Sequence, residues 1–354
     1  MMGYKRSAME EWREILAASI SRPGELPARL CPDPEGGEAA AARYPMRINP
    51  YYLGLIREAG DPIWRQAVAC REELLDSPCF LDPLGEEELS PTPGLVWKYP
   101  DRALLLVNHT CAMYCRFCTR KRKTGTEAMR SDDQQIGKCL DFLKQNRQIR
   151  EVLISGGDPL LLSDARIDWI LSSLKAIGSI EVIRIGSRVP CTLPQRITAH
   201  LAGILKKHHP LYINTHFNHP RELTPEAARA CALLADAGIP LGCQTVLLKG
   251  INDRAETMTR LLRGLLKMRV RPYYIFQADM SRGTDHLRTP ISRGVEIMQK
   301  LSGKLSGMAV PSFAVDLPGG GGKVRLGPET RLATSGKHVF TGFSGKEYTY
   351  IDPR

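Results

Sequence analysis

Three cysteines crowd the run Asn108-His109-Thr110-Cys111-Ala112-Met113-Tyr114-Cys115-Arg116-Phe117-Cys118-Thr119-Arg120. The spacing Cys-x3-Cys-x2-Cys offers three thiolates on one short loop and no fourth. Iron–sulfur clusters are as a rule held by four cysteine thiolates, so three predict a four-iron cluster with one iron open to another ligand. Free cysteine is also among the most buried residue types, and three unrelated buried thiols are the plainer alternative. The loop is polar and basic rather than apolar, which favours the cluster.

A second run with chemical content is Val315-Asp316-Leu317-Pro318-Gly319-Gly320-Gly321-Gly322-Lys323. It is not a phosphate-binding P-loop: Val324 stands where Ser or Thr is required and Leu317 where the first glycine should be. The better reading is a flexible tether delivering one lysine amine, since lysine forms Schiff bases with carbonyl compounds, pyridoxal phosphate (PLP) among them. A linker with an exposed lysine is the bland reading. Gly156-Gly157-Asp158-Pro159 is by itself a good turn signal; next to a cofactor, the same glycines would let the backbone approach a ligand.

These residues need elements to hold them. Short β-rich apolar runs recur at Ala103–Val107, Glu151–Ser155, Glu181–Gly186, Leu211–His216, Pro240–Leu247 and Arg271–Gln277, with amphipathic helices predicted at Ile167–Ile177, Pro225–Ala237 and Arg254–Met268. Strand–helix alternation implies right-handed βαβ units and a parallel sheet. Six units fit a partial (β/α)6 TIM-like barrel, with a doubly wound sheet as the alternative. In such barrels chemistry gathers at the carboxyl ends of the strands. The cysteine loop, Gly156-Gly157-Asp158, Ser187-Arg188, His216 and Asp279 all follow or end successive strands, and Gln244 lies within the fifth. Residues 1–97 read as a helical accessory region, with helical spacing over Met9–Ser19 and Pro62–Leu75 and a loop at Pro32–Gly37. Residues 98–323 form the barrel, and 324–354 a short C-terminal extension in which Val339–Thr341 and Tyr348–Tyr350 suggest a β-hairpin-like cover.

Composition narrows the class. The 354 residues, 43% hydrophobic and 25% charged, are those of an ordinary globular protein. Met1-Met2-Gly3-Tyr4-Lys5-Arg6 lacks the apolar stretch of a secretory signal, and no stretch reaches the length of a membrane span. Ten cysteines kept reduced in a cytoplasm are the expectation. The net charge of +11 invites a nucleic-acid partner. Its most visible source, Arg120-Lys121-Arg122-Lys123, reads as a cationic wall for anionic cofactors, because no nucleic-acid-binding motif surrounds it.

Taken together, the motifs resemble the radical S-adenosylmethionine (SAM) enzymes and, within them, the PLP-dependent L-lysine 2,3-aminomutase family. The resemblance runs from about Trp97 to Lys323. It includes Tyr99-Pro100-Asp101-Arg102, the cysteine loop, Ser155 to Leu160, Asn214 to Pro220, Gln244 to Leu248, Val270 to Tyr274 and Pro318 to Lys323. It implies a [4Fe–4S] cluster on Cys111, Cys115 and Cys118 whose open iron is chelated by the amino and carboxylate groups of SAM. Gly156, Gly157, Asp158, Ser187, His216 and Gln244 are then the SAM contacts. Lys323 becomes the lysine that carries PLP as an aldimine, while Lys98, Tyr99 and Arg102 surround the PLP phosphate. Lys98 stands where arginine is usual, a point charge in place of a bidentate fork. Arg120 corresponds to the clamp on the substrate α-carboxylate, and Asp279 and Asp316 to the pair that grips the distal ammonium. The implied reaction moves the α-amino group of lysine to the β-carbon by way of a 5′-deoxyadenosyl radical.

The same resemblance implies a small-molecule amino-acid substrate, an electron donor such as flavodoxin or ferredoxin, and a homo-oligomer. The paired aspartates suit lysine or arginine and would repel glutamate. A nucleic-acid-binding iron–sulfur protein is the rival from another class; it would leave Lys323 unexplained. Residues 324–354 contain no cysteine, and Arg254 stands where a zinc-ligating cysteine would be. No structural zinc is expected, and the usual subunit arrangement is left open.

Overall fold

The computed structural model describes residues 8–75, 78–129, 131–327, 337–341 and 346–351. Nine strands form one sheet in sequential order: β1 (Leu95–Tyr99), β2 (Arg102–Asn108), β3 (Glu151–Gly156), β4 (Val182–Gly186), β5 (Leu211–Thr215), β6 (Leu241–Leu247), β7 (Arg271–Gln277), β8 (Ser312–Leu317) and β9 (Gly322–Leu326). β2 to β8 run parallel, and β1 and β9 add antiparallel edges. An order that never reverses has no switch point and excludes the doubly wound alternative. All six expected strands are present. The seventh parallel strand, β8, was not foreseen, because its end, Val315-Asp316-Leu317, runs through Pro318 into the glycines and reads as part of that motif.

The crossover helices start where their sequences cap them. Asp132, Ser163, Thr198 and Thr224 accept hydrogen bonds from the first turns of Asp133–Gln145, Asp164–Lys175, Ala199–Lys206 and Pro225–Asp236, satisfying amide groups that a helix end leaves unpaired. Their apolar stripes, including Leu140, Leu143, Ile170 and Leu174, join Leu105, Val152, Ile154, Ile183 and Ile213 of the strands in a single core. Along β3 the alternate residues Glu151, Leu153 and Ser155 are only half-buried, as the two-residue period of a strand requires when one face packs under helices. The curl brings the sheet's two ends together. Tyr99 Oη of β1 accepts from the Lys323 amide of β9 at 3.2 Å, and Lys98 Nζ lies 3.3 Å from Asp316 of β8.

The N-terminal region departs from its expected pattern twice. Pro32–Gly37 is not a loop: Asp33 caps a helix over Pro34–Arg43, accepting from the Gly36 amide, with Pro34 in the first turn where its missing N–H costs nothing. Pro62–Leu75 is not one helix but two short pieces, Trp64–Ala67 and Arg71–Leu74, separated by extended residues at Val68 and Cys70. Beyond the barrel, β10 (Lys337–Thr341) and β11 (Glu347–Ile351) pair as an antiparallel hairpin. Among the described residues no helix is long and apolar enough to cross a membrane.

Candidate functional site

The loop after β2 holds its cysteines by burying the residues between them. Ala112, Met113, Tyr114, Arg116 and Phe117 are buried, while Cys111, Cys115 and Cys118 stay half-buried. Arg116 is anchored through four hydrogen bonds, two to Glu73 and one each to the carbonyls of Pro45 and Tyr44. Cys115 Sγ accepts from Arg188 Nη1 at 2.8 Å, and Cys118 Sγ from the Arg120 amide at 3.4 Å. Burial pushes the Cys111 and Cys115 thiols upward; Asp158 and the neighbouring sulfurs raise Cys111 further, and Arg188 works against the rise at Cys115. No three His, Cys, Asp or Glu side chains among the described residues converge on a single ion. The chemistry of the donor set suits a cluster: three thiols on one loop, two of them already accepting hydrogen bonds, none in a disulfide.

The glycine segment ending β3 is packed from behind. A side chain at Gly156 would come within 2.4 Å of the Asn108 carbonyl, and one at Gly157 within 2.3 Å of Thr110 O. The amides of Gly157 and Asp158 donate to those same carbonyls at 2.6 and 2.7 Å. These glycines thus seat the start of the cysteine loop, and the missing side chains are accounted for by backbone rather than by open ligand space. Asp158 is buried and accepts from Ser187 Oγ and the amides of Leu160, Arg188 and Val189. Burial raises its carboxyl, and these donors oppose the rise. Asp158 and Ser187 therefore tie the β3 and β4 loops to each other.

His216, after β5, donates from Nε2 to Asn218 Oδ1 at 2.9 Å and lies 5.4 Å from the Phe117 ring. Burial and the charge of Arg188 bring it down to about 3, so the ring is neutral near pH 7. Gln244 accepts from Tyr273 Oη, which is also 2.6 Å from Asn214 Nδ2. Arg188 was not among the expected site residues, yet it reaches Cys115, Gln66 and Glu222 and lies 5.2 Å from the Phe117 ring. Its position directly after Ser187 at a strand end was the available signal.

On the far side of the mouth, Lys323 is not on a flexible tether. Gly319, Gly320 and Gly322 take left-handed backbone (φ 63°, 82° and 90°) that only glycine adopts freely, closing a tight β8–β9 turn. Lys323 thereby pairs with Asp316 across the two strands, Nζ to Oδ2 at 3.1 Å. Asp316 also receives Lys98. Lys98, Arg102 and Lys323 stand around one ring, that of Tyr99, at 5.7, 3.9 and 5.9 Å from its centre. Asp279, just after β7, is pushed up to about 7, first by burial and then by the charge of Asp316, with Lys323 and Lys98 opposing. The two aspartates are thus close enough to feel each other.

The basic run is not a bare cationic wall. Arg120 pairs with Glu86, Lys121 with Glu73, Arg122 with Glu87 and Asp82, and Lys123 with Glu87. The hydrogen bonds from Lys123 and Arg122 hold the Glu87 carboxyl down at about 2. The neutralising acids lie some 35 to 50 positions upstream, a separation that no local pattern reveals.

A sequential parallel barrel with a three-cysteine loop after its first parallel strand defines a radical SAM enzyme, and residues 105–262 match the model of the Radical SAM superfamily. Such enzymes carry a [4Fe–4S] cluster and bind SAM. Residues 298–354 match the Lysine-2,3-aminomutase model. An L-lysine 2,3-aminomutase of Fusobacterium nucleatum is 51% identical over 87% of this chain and 73% of its own. One of Clostridium subterminale is 49% identical over 87% and 75%. A glutamate 2,3-aminomutase of Clostridioides difficile is 47% identical over 82% and 70%. The chain belongs to the lysine 2,3-aminomutase family and is an isomerase.

Proposed function

We propose that the protein moves the α-amino group of L-lysine to the β-carbon, giving β-lysine. The observation that carries this reading is the pair Asp279 and Asp316 beside the Lys323 amine. Relatives named for lysine and for glutamate differ by only a few per cent in identity to this chain, so the substrate has to be read from the site. Two neighbouring carboxylates in a partly dry mouth repel each other, as the raised Asp279 records, and a cationic side-chain end relieves that repulsion. A glutamate carboxylate would aggravate it. A guanidinium also suits paired carboxylates, so arginine is the competing substrate that the assay below separates from lysine.

The PLP assignment rests on the same corner. Lys98 and Arg102 offer charge to a phosphate dianion and Lys323 an amine to a carbonyl, all around the Tyr99 ring. Lys323, Lys98, Tyr99 and Arg102 are therefore assigned to PLP, and Cys111, Cys115 and Cys118 to the cluster. SAM is assigned to the mouth beside the cluster, near His216, Gln244 and the Gly156–Asp158 segment, where Asp158 and Ser187 shape the loops. Arg120 takes the substrate α-carboxylate. Bound together, the cluster and SAM supply a carbon radical that removes one hydrogen atom, and PLP supplies a carbonyl for the migrating amine and a π-system that spreads the unpaired spin.

The chain's own residues do the rest. Once Lys323 and Lys98 turn to PLP, Asp316 is released from both and is free to hold the distal ammonium with Asp279. Neutral His216 and the Phe117 ring give the cluster side a surface that does not charge near pH 7. A one-electron donor of the flavodoxin or ferredoxin class serves the cluster, and a reducing cytoplasm suits ten free thiols. The test is anaerobic reconstitution with iron, sulfide, SAM and PLP, followed by product analysis with lysine, arginine and glutamate side by side. β-Lysine as the main product supports the reading; faster turnover of arginine or glutamate overturns it.

A further inference from the structure

The segment beside the β8–β9 turn contains an acid, Glu86, outside the expected site residues. Glu86 takes Arg120 by one edge of the guanidinium, Nε to Oε2 at 2.7 Å and Nη2 to Oε1 at 2.5 Å. Both side chains are largely removed from water, 17% and 16% exposed. Arginine carries five N–H donors and can be forked along its side edge, through Nε and Nη2, or its end edge, through Nη1 and Nη2. Glu86 occupies the side edge. Among the described residues Nη1 makes only a long contact, 3.4 Å, with the Gly156 carbonyl. The end edge thus stays available to a second carboxylate, in the direction of the cysteine loop and the glycine segment.

Glu86 is itself fixed. The Gly319 amide donates to the Pro83 carbonyl at 3.1 Å, and Gly85 lies so near the hairpin turn that a side chain there would be 3.1 Å from Gly319. Phe80 exchanges backbone hydrogen bonds with Met280 and Arg282 beyond β7, and Glu87 holds Arg122 and Lys123. The segment therefore ties the turn that carries Lys323 to the loop that carries Arg120.

We infer that Glu86 is a positioning residue for the substrate α-carboxylate, holding Arg120 by one edge so that its other edge meets the substrate at a set distance from Lys323. This rests on the reading of Arg120 and Lys323 proposed above. It predicts that Glu86 matters for ligands that carry an α-carboxylate and little for those that do not. The experiment follows the PLP absorption band of cluster-reconstituted wild type, Glu86→Gln and Glu86→Asp during titration with lysine and with 1,5-diaminopentane, which is lysine without its carboxylate. Iron and PLP contents are matched beforehand, so a misfolded variant is recognised.

In Glu86→Gln, lysine binding weakens about tenfold, on the scale of one charge-assisted hydrogen bond, while diaminopentane changes by less than about twofold. Glu86→Asp recovers part of the loss, and in turnover KM rises about tenfold with kcat within about threefold. Equal weakening of both ligands would make Glu86 merely structural, and tighter lysine binding would make it a competitor for Arg120; either overturns the inference. A wild-type PLP band that ignores both ligands overturns the site reading itself, and the inference with it.

Discussion

Replacing Glu73 by glutamine removes the one negative charge lying between two buried cations. Arg116 is 1% exposed and Lys121 5%, and both donate to the same carboxylate, from Arg116 Nε at 2.8 Å and Nη2 at 2.5 Å and from Lys121 Nζ at 2.6 Å. Breaking a buried pair by removing one partner costs about 3–5 kcal/mol. The structure indicates where that cost falls. Lys121 is already lowered to about 8 by burial, against the pull of Glu73, so at pH 7 it adds only about 1.4 kcal/mol before it sheds its proton. The buried Arg116 guanidinium, left without its carboxylate partner, carries the remainder.

Urea unfolding of the reconstituted holoenzyme at pH 7 should show Glu73→Gln destabilised by about 3–5 kcal/mol, with reduced iron retention because Arg116 sits between two of the cysteines proposed to hold the cluster. Lys121→Met leaves Arg116 and Glu73 as a neutral pair and should stay within about 2 kcal/mol of wild type. The pH dependence follows from the sign of the shift. Burial would raise the Glu73 carboxyl, but Arg116 and Lys121 prevail and hold it below 4.5. Its contribution is therefore full above the ordinary carboxylate range and is lost as pH falls through the lowered value. A Glu73→Gln protein within about 1 kcal/mol of wild type at pH 7 would refute the reasoning.

Other consequences are as direct. Asp279, raised from 3.8 to about 7, binds its proton more tightly folded than unfolded, so stability of the ligand-free protein falls as pH rises between those values. Asp279→Asn should then gain up to about 4 kcal/mol at pH 8 and nothing below about pH 4 in thermal or urea unfolding. For the same reason KM for lysine should fall as pH rises through about 7, a dependence that Asp279→Asn abolishes in steady-state assays. Asp316→Asn should leave PLP content unchanged but weaken lysine binding at least about tenfold in a titration of the PLP band. Gly156→Ala should cost about 3 kcal/mol or more and lower cluster content, read from iron per chain, because φ 132° and the Asn108 carbonyl both exclude a methyl group.

Much of the barrel was legible because its signals are local. Six apolar runs of strand length alternate with capped helices, and each run lies within a residue or two of its strand. β8 escaped because Val315-Asp316-Leu317 runs through Pro318 into the glycines, where turn chemistry dominates the pattern. The same glycines suggested a tether for Lys323. Positive φ at three of them instead makes a hairpin turn, and the pairing of Asp316 with Lys323 is a consequence of strand register that spacing alone does not display. The charge partners were the least legible. Arg120 to Lys123 looked like an uncompensated patch, since Glu73, Asp82, Glu86 and Glu87 lie far upstream and meet them only in the folded chain. Arg188 was hidden similarly: a strand-end arginine acquires meaning only when Cys115, Gln66 and Glu222 arrive from other parts of the chain.

The central claim, that one nitrogen moves between adjacent carbons of the same lysine, is tested most directly by following that nitrogen. Reconstituted enzyme is incubated anaerobically with lysine labelled with nitrogen-15 at the α-amino group and carbon-13 at the β-carbon, and the product is examined by NMR. The account predicts a new one-bond coupling between the two labels in β-lysine, absent when Lys323→Ala replaces the wild type. β-Lysine lacking the label at its β-nitrogen, or an undiminished coupling with Lys323→Ala, would contradict it.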